Sequence, residues 1–381
     1  GIPAGDMLLR KIAQMLSERV NPWGICGRID ADHFACLLER RWEYSQALFQ
    51  RAEAEIREVT NMKNVVIRWG VYAIDDRSIS VEQMCDRALL AANRIKGRYG
   101  KYYTAYDEAL RSKLLREQAI TDGMEAALAG EQFVLYVQPK YRVRDESLSG
   151  AEALVRWKHP KRGIIYPSDF IPLFERNGKI CKLDLYVFGE VCRIISSWEK
   201  KGKAVVPVSV NLSRQHFAEE DFLERFADLA QQYHVPAGMI EFELTESIFF
   251  ENHQINRVGD AIKRMHELGF ACSLDDFGSG FSSLGLLKEF DVDSIKLDRS
   301  FFVNMSGQKA RDVIACLVDL AKRLKVKTVA EGIEDWGTVE YLRSIGCNMV
   351  QGYVFAGPLP ADEFDCLHIS WTGSIECNIN P

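Results

Sequence analysis

Residues Phe270 to Leu284 read FACSLDDFGSGFSSL. An apolar run of strand length ends in two adjacent aspartates, a turn of small residues follows, and an amphipathic stretch takes over. That is one β-strand feeding one helix. Outward from it, the same alternation of short Val-, Ile- and Phe-rich runs with longer amphipathic stretches recurs from about Gln132 onward, which is the signature of repeated βα units. Eight runs are expected as strands: Phe133 to Gln138, Gly150 to Arg156, Val205 to Leu212, Met239 to Thr245, Phe270 to Asp275, Val292 to Asp298, Lys327 to Glu331 and Met349 to Phe355. Eight units predict a closed, parallel (β/α)8 barrel of the TIM type, with helices outside and branched side chains filling the inside. An open doubly wound sheet would ask for a glycine-rich phosphate loop after the first strand, and Gln138-Pro139-Lys140-Tyr141 is not one.

Barrel proteins collect their chemistry at the carboxyl ends of the strands. Here those positions hold Gln138, Glu152, Asn211, Glu243, Asp275 with Asp276, Lys296 with Asp298, Glu331 and Gln351. Singly, each has a structural explanation: Asn211 as a helix cap, the aspartates as turn residues, Glu152 as a partner of Lys296. Together, carboxylates converging on one mouth repel one another and raise each other's pKa unless cations are bound. The donors are all oxygens, which favours Mg²⁺ or Mn²⁺ over zinc. Adjacent Asp275 and Asp276 allow two ions, the arrangement used for in-line displacement at phosphorus, so phosphodiester hydrolysis is the expected reaction class. Lys296 would then compensate charge on phosphate or position water, and Glu331 would accept its proton. Gly278, Ser279 and Gly280 give the following loop freedom to move over the site.

The chain of 381 residues is 47% hydrophobic, enough for a large core and more than one domain. Its 48 basic and 54 acidic residues leave a formal charge of −6, which argues against a DNA- or RNA-binding surface and leaves a small anionic ligand open. No apolar run approaches a membrane span, and the sequence opens on Gly1 without a signal peptide, so a cytoplasmic piece, of a longer sensor protein or alone, is expected. The 10 cysteines, among them Cys181, Cys192, Cys272 and Cys316, form no C-x-x-C pair and are expected to be reduced and mostly buried.

The first 107 residues predict a smaller α/β domain: a helix near Met7 to Val20, two strands around Ile25 to Leu38, a helix near Glu43 to Val59, a strand at Val65 to Ile74 and a helix at Val81 to Lys96. A linking helix over residues 108–130 carries Leu110, Leu114, Met124 and Leu128 close to one stripe. The barrel then spans 131–368, and 369–381 form a tail.

In order along the chain stand GAEALVRWKHP (150–160), SVNLS (209–213), FELTES (242–247), DDFGSGFSSL (275–284), SIKLDRSF (294–301), VAEGIE (329–334) and VQGYVFAGPLP (350–360). From Ala119 to near Leu367 the chain thus resembles the EAL family of cyclic-di-GMP phosphodiesterases. The resemblance implies metal-dependent hydrolysis of cyclic di-GMP to linear pGpG. It implies Glu152, Asn211, Glu243, Asp275 and Asp276 as ligands of Mg²⁺ or Mn²⁺, and Lys296 and Glu331 as catalytic residues. Substrate contacts fall to Gln138, Leu154, Arg156, Pro358 and Gln351, the last beside the metal site. Asp298, Glu246 and Glu334 support it, with Glu246 holding the loop after the fifth strand. FGSGF stands where FGTGY is more usual in the family, at Ser279 and Phe281. A receptor that binds cyclic di-GMP without cleaving it, and an inert scaffold, are the competing readings.

The amino-terminal part resembles a shortened, degenerate GGDEF diguanylate cyclase domain. Its signature position reads Asp30-Ala31-Asp32-His33-Phe34, with Asp30 and Ala31 in place of two glycines and His33 in place of an acidic residue. The family's R-x-x-D feedback motif is missing from Asn21 to Gly27. Cyclase activity is not expected, a purely structural spacer and a regulatory domain that binds GTP are the two open readings, and the resemblance implies homodimerisation through the EAL barrel.

Overall fold

The structure is a computed structural model that describes residues 2–367 apart from 22, 40–43, 61–64, 99, 247, 249–254, 279–282, 304 and 306. The chain divides into two compact units, residues 1–118 and 119–381, so the division falls inside the linking helix.

The first unit runs α1 (Ile2–Val20), β1 (Gly24–Asp30), β2 (His33–Leu38), α2 (Gln46–Thr60), β3 (Trp69–Val71), α3 (Val81–Arg94) and β4 (Tyr103–Ala105), then enters α4 (Glu108–Ala129). β1 and β2 form an antiparallel hairpin whose tip is Ala31-Asp32, so the Asp30 to Phe34 stretch turns the chain. β3 pairs in parallel with β4, a strand the hydrophobic pattern does not announce in so short a run. Ser80 caps α3 by accepting from the Gln83 N–H. On α4, Leu110 and Met124 are buried and Leu114 and Leu128 partly so, as a packing stripe requires.

The second unit holds β5 (Phe133–Arg142), β6 (Leu148–His159), β7 (Gly163–Ile165), α5 (Pro167–Arg176), α6 (Ile180–Lys200), β8 (Val208–Asn211), α7 (Phe222–Gln232), β9 (Ile240–Thr245), α8 (Ile255–Glu267), β10 (Ala271–Phe277), α9 (Ser283–Glu289), β11 (Ser294–Leu297), α10 (Gln308–Arg323), β12 (Lys327–Glu331), α11 (Trp336–Ile345), β13 (Met349–Gln351), β14 (Leu359–Pro360) and α12 (Ala361–Leu367). The strands close in the order β5-β13-β12-β11-β10-β9-β8-β6, and β6 pairs back onto β5. Short β7 and β14 add to β6 and β5.

Two expectations are corrected. The barrel is not all parallel, because β5 runs antiparallel to both β6 and β13. Between Gln138 and Gly150 the chain has too few residues for a helical crossover, and both strands extend into that interval to form a hairpin. Its turn is set by Arg142, whose N–H donates to Ser147 O, and by Asp145, which accepts from the Ser147 N–H. Nor do branched side chains fill the lumen. Alternation along β9 sends Ile240, Phe242 and Leu244 toward the helices, where Phe242 stacks on Phe188 of α6 at 5.6 Å. The intervening Glu241 and Glu243 point inward, to Lys140, Ser294 and Lys296. The interior is therefore a hydrogen-bonded polar stack inside an apolar shell, tolerable because its charges are paired.

Among the described residues no helix is long and apolar enough to cross a membrane.

Candidate active site

Alternating side chains from neighbouring strands of the closed sheet meet on the barrel axis, and there the structure builds one connected charge network. Lys296 on β11 is its hub. Its ammonium lies 2.6 Å from Glu243 Oε2, 2.8 Å from Glu331 Oε1, 3.1 Å from Asp275 Oδ1 and 3.4 Å from Glu152 Oε2. Glu152 also accepts from Asn211 Nδ2 at 3.3 Å and from Gln351 Nε2 at 2.7 Å. Gln351 Nε2 reaches Gln138 Oε1 at 3.1 Å, and Gln138 Nε2 donates to Ala356 O. Because β5 pairs antiparallel with β6, Gln138 comes to lie opposite Glu152.

Beneath Glu243 lies a residue whose role the sequence reading missed. Lys140 on β5 donates to Glu243 Oε1 at 2.9 Å and to Ser209 Oγ at 2.8 Å, and stands 3.5 Å from Glu241 Oε2. Only 2% of Lys140 is exposed. Glu243 is thus held between two lysines. Burial acts to raise its pKa, but Lys140 and then Lys296 overcome that and hold it well below the usual carboxylate range. The sequence gives no signal of it, since Lys140 stands two residues past the expected strand Phe133 to Gln138.

The remaining carboxyls shift the other way. Burial raises Glu152, with Glu243 adding to it, and burial raises Asp275 against the pull of Lys296. Glu331 is pushed up to about 8, again by burial and against Lys296. Asp276 is raised by burial and by Asp298. Its backbone sits at φ 56, in the left-handed region, and its N–H donates to Asp275 Oδ1 at 2.9 Å. Carboxylate oxygens of Asp275, Asp276 and Glu331 lie within 4.8 Å of one another. One ion fits among them, and their all-oxygen chemistry suits a hard divalent cation. Gln351 Oε1, buried beside Glu152, has no hydrogen-bond partner among the described residues, which leaves one more oxygen donor available.

The supporting positions divide. Glu246 is buried, and its Oε1 accepts from the Gly278 N–H at 2.8 Å, tying the end of β9 to the turn after the aspartates. Gly278 has φ 93, and a Cβ there would stand 2.2 Å from the Phe301 ring. The mobile-loop expectation for Ser279 and Gly280, and the Ser279 and Phe281 departures, lie outside the described residues. Asp298 accepts from the Ser300 N–H, capping the single turn after β11. Glu334 pairs with Arg299 at 2.7 Å on the exposed rim and takes no part in the network.

Leu154 and Arg156 share the Glu152 face of β6 by strand alternation. The Arg156 guanidinium sits 5.4 Å above the Tyr136 ring and 5.7 Å above that of Tyr166, a stacked cation with its planar fork half-buried. Pro358 is partly buried just before β14, which places Leu359 opposite Val137.

The loop after Asn211 has its own anchor. Asp184 on α6 accepts from the Ser213 N–H and from His216 Nε2, both at 3.0 Å. His216 is buried, which disfavours its charge, but Asp184 and Cys181 overcome this and push its pKa up to about 9.

A closed barrel whose mouth gathers carboxylates around buried lysines defines the class of fold and site to which this unit belongs. The model of the EAL domain matches residues 122–358, and the chain belongs to the EAL domain family. It is 29% identical over 366 residues to the cyclic di-GMP phosphodiesterase NbdA of Pseudomonas aeruginosa, covering 94% of this chain and 46% of that protein. It is 28% identical over 370 residues to the bifunctional diguanylate cyclase/cyclic di-GMP phosphodiesterase MucR of the same organism, covering 94% and 53%. The chain thus spans about half the length of these curated relatives. Among solved structures it is similar to the PaMucR phosphodiesterase in complex with c-di-GMP, with TM-score 0.60 and 31% identity over 64% of this chain and 99% of that one.

Proposed function

We propose that the barrel hydrolyses one phosphodiester bond of cyclic di-GMP to give linear pGpG, in a reaction that requires Mg²⁺ or Mn²⁺. The observation that carries this reading is the charge balance of the lumen. Two lysines, Lys140 and Lys296, face six carboxylates, Glu152, Glu241, Glu243, Asp275, Asp276 and Glu331. Fully ionised, they leave four negative charges, which two divalent cations would neutralise. Family membership and the names of the relatives support cyclic di-GMP as substrate.

In this reading Asp275, Asp276, Glu152, Asn211 and Glu243 hold the cations, with Gln351 Oε1 beside them. Bound there, divalent cations lower the pKa of water and stabilise charge at phosphorus. Lys296 compensates charge on the non-bridging phosphate oxygens and keeps Glu331 within reach of the attacking water. Glu331, held 2.8 Å from the Lys296 ammonium, takes the proton. Arg156 offers its fork to a phosphate, and Gln138, Leu154 and Pro358 line the substrate's path. Asp298 and Glu246 hold the backbone on either side of the aspartates, and Glu334 steadies the rim through Arg299.

The first unit, in the same reading, is a degenerate GGDEF-like domain without cyclase activity, with GTP as its candidate ligand and the barrel as the dimerising part. Its support is the position of Asp30 to Phe34 at a hairpin tip, and a relative named as bifunctional that aligns with 94% of this chain.

Incubation of purified protein with cyclic di-GMP and Mg²⁺ or Mn²⁺, followed by chromatography, should yield pGpG. Tight binding by calorimetry without turnover under any divalent cation would overturn hydrolysis in favour of a receptor. The same assay with and without GTP tests the first unit, and light scattering tests dimerisation.

A further inference from the structure

The expectation of mostly buried thiols is corrected: among the eight described cysteines Cys192, Cys272 and Cys347 are buried, while Cys26, Cys36, Cys85 and Cys181 are partly exposed and Cys316 is exposed. Two of the partly exposed ones are in register. On the β1–β2 hairpin, Cys26 lies directly opposite Cys36. Residues directly opposite in an antiparallel pair point to the same face, so the register sets the two thiols side by side. Among the described strand pairs no other cysteine faces a second one.

The kind of position matters as much as the register. Just outside the hairpin the Glu39 N–H donates to Trp23 O, which makes Trp23 and Glu39 a hydrogen-bonded position. Hydrogen-bonded and non-hydrogen-bonded positions alternate along an antiparallel ladder. Counting inward through Gly24 with Leu38 and Ile25 with Leu37, Cys26 with Cys36 falls on a non-hydrogen-bonded position. There Cα atoms lie about 4.5 Å apart. A disulfide asks for about 4.4–6.8 Å, so the bond closes without the strands separating.

We propose that Cys26 and Cys36 are a thiol-oxidation site of the first unit, forming a reversible cross-strand disulfide with a small disulfide such as oxidised glutathione as oxidant. Cys26 attacks as thiolate on one glutathione sulfur, forms a mixed disulfide and expels the other glutathione as thiolate. Cys36 then gives up its proton to solvent, attacks the Cys26 sulfur and releases the second glutathione. Two protein thiols are oxidised and one glutathione disulfide is reduced to two thiols. The order of attack follows from environment. Burial, with Cys26 adding to it, pushes the Cys36 thiol up to about 11, which disfavours Cys36 as the first nucleophile and leaves it as the resolving thiol, made effective by its proximity. The bond closes a loop over residues 27–35, which contains the irregular register between Arg28 and Asp30 and the Ala31 turn at φ 35.

The test uses the whole chain in a series of oxidised-to-reduced glutathione ratios, followed by alkylation, trypsin and non-reducing mass spectrometry. Trypsin cuts after Arg19, Arg28 and Arg40, which puts Cys26 and Cys36 on separate peptides, 20–28 and 29–40. The expected result is these two peptides joined, both thiols lost to alkylation, and the link undone by reductant. Bridging should be about tenfold or more faster in the folded chain than in urea. Cys36→Ser should trap glutathione on Cys26, and Cys26→Ser should leave Cys36 free to alkylation. The proposal is overturned if both wild-type thiols stay alkylatable at ratios that glutathionylate Cys316, if each carries its own glutathione, or if the bridge forms equally fast in urea. The wild-type mapping decides the question whether or not the variants fold.

Discussion

Replacing Lys140 by Met tests whether the polar lumen works as a unit. The substitution nearly conserves volume and removes one charge that is 2% exposed, leaving Lys296 as the cation on Glu243 and Ser294 on Glu241. Removing one partner of a buried pair costs about 3–5 kcal/mol, because the other charge stays buried. The lower end applies, since Glu243 keeps its 2.6 Å contact to Lys296. For a unit of this size each kcal/mol lowers Tm by about 2–4 °C, so the barrel should melt roughly 6–12 °C lower in chelator. Divalent cations at the mouth would restore positive charge near Glu243. Saturating Mg²⁺ or Mn²⁺ should therefore recover part of the deficit, which by linkage means that the variant binds the cation more tightly than wild type. Calorimetric melting of wild type and variant, in EDTA and in excess cation, reads both effects. A Tm in EDTA within about 2 °C of wild type would refute the coupling of Lys140 to the site. So would a deficit that cations do not narrow, since lost packing alone behaves that way.

Four further outcomes are expected. Glu152→Ala should lower kcat/KM for cyclic di-GMP by at least about a hundredfold, and retention of a tenth of wild-type turnover would remove Glu152 from the ligand set. Gly278→Ala should destabilise the turn after the aspartates by about 1–3 kcal/mol and cut activity, given its φ of 93 and the Phe301 ring 2.2 Å from the added carbon; unchanged denaturation midpoints would count against this. Chelation of wild type should lower Tm by about 5–10 °C relative to cation at a hundred times its Kd, and melting indifferent to EDTA would speak against a resident ion. The His216 pair makes the barrel's stability depend on pH. The folded pKa of about 9 lies above the unfolded value of about 6.5, so up to about 3 kcal/mol is fully present below pH 6.5 and lost as pH rises through 9. Urea midpoints at pH 6, 8 and 10 should fall more steeply for wild type than for His216→Asn, and parallel slopes would show that the pair contributes nothing.

The hydrophobic period and the residues that end each run were enough to place eight strands within a few residues, and to bring Glu152, Asn211, Glu243, Asp275, Lys296, Glu331 and Gln351 to one barrel end, because strand period and chain direction are local properties. What the sequence could not determine depends on pairing between distant segments. The antiparallel entry of β5 appears only when a hairpin replaces the expected crossover, and that reversal sets Gln138 opposite Glu152. The link from Lys140 to Ser209 and Glu243 joins positions 69 and 103 residues apart, which no local pattern encodes. Tertiary structure also split the carboxyls by environment: two lysines keep Glu243 ionised, whereas burial raises Glu152, Asp275 and Glu331. Composition listed Cys26 and Cys36 as two thiols among ten, and only strand register set one against the other, since a shift by one residue would turn the two side chains to opposite faces.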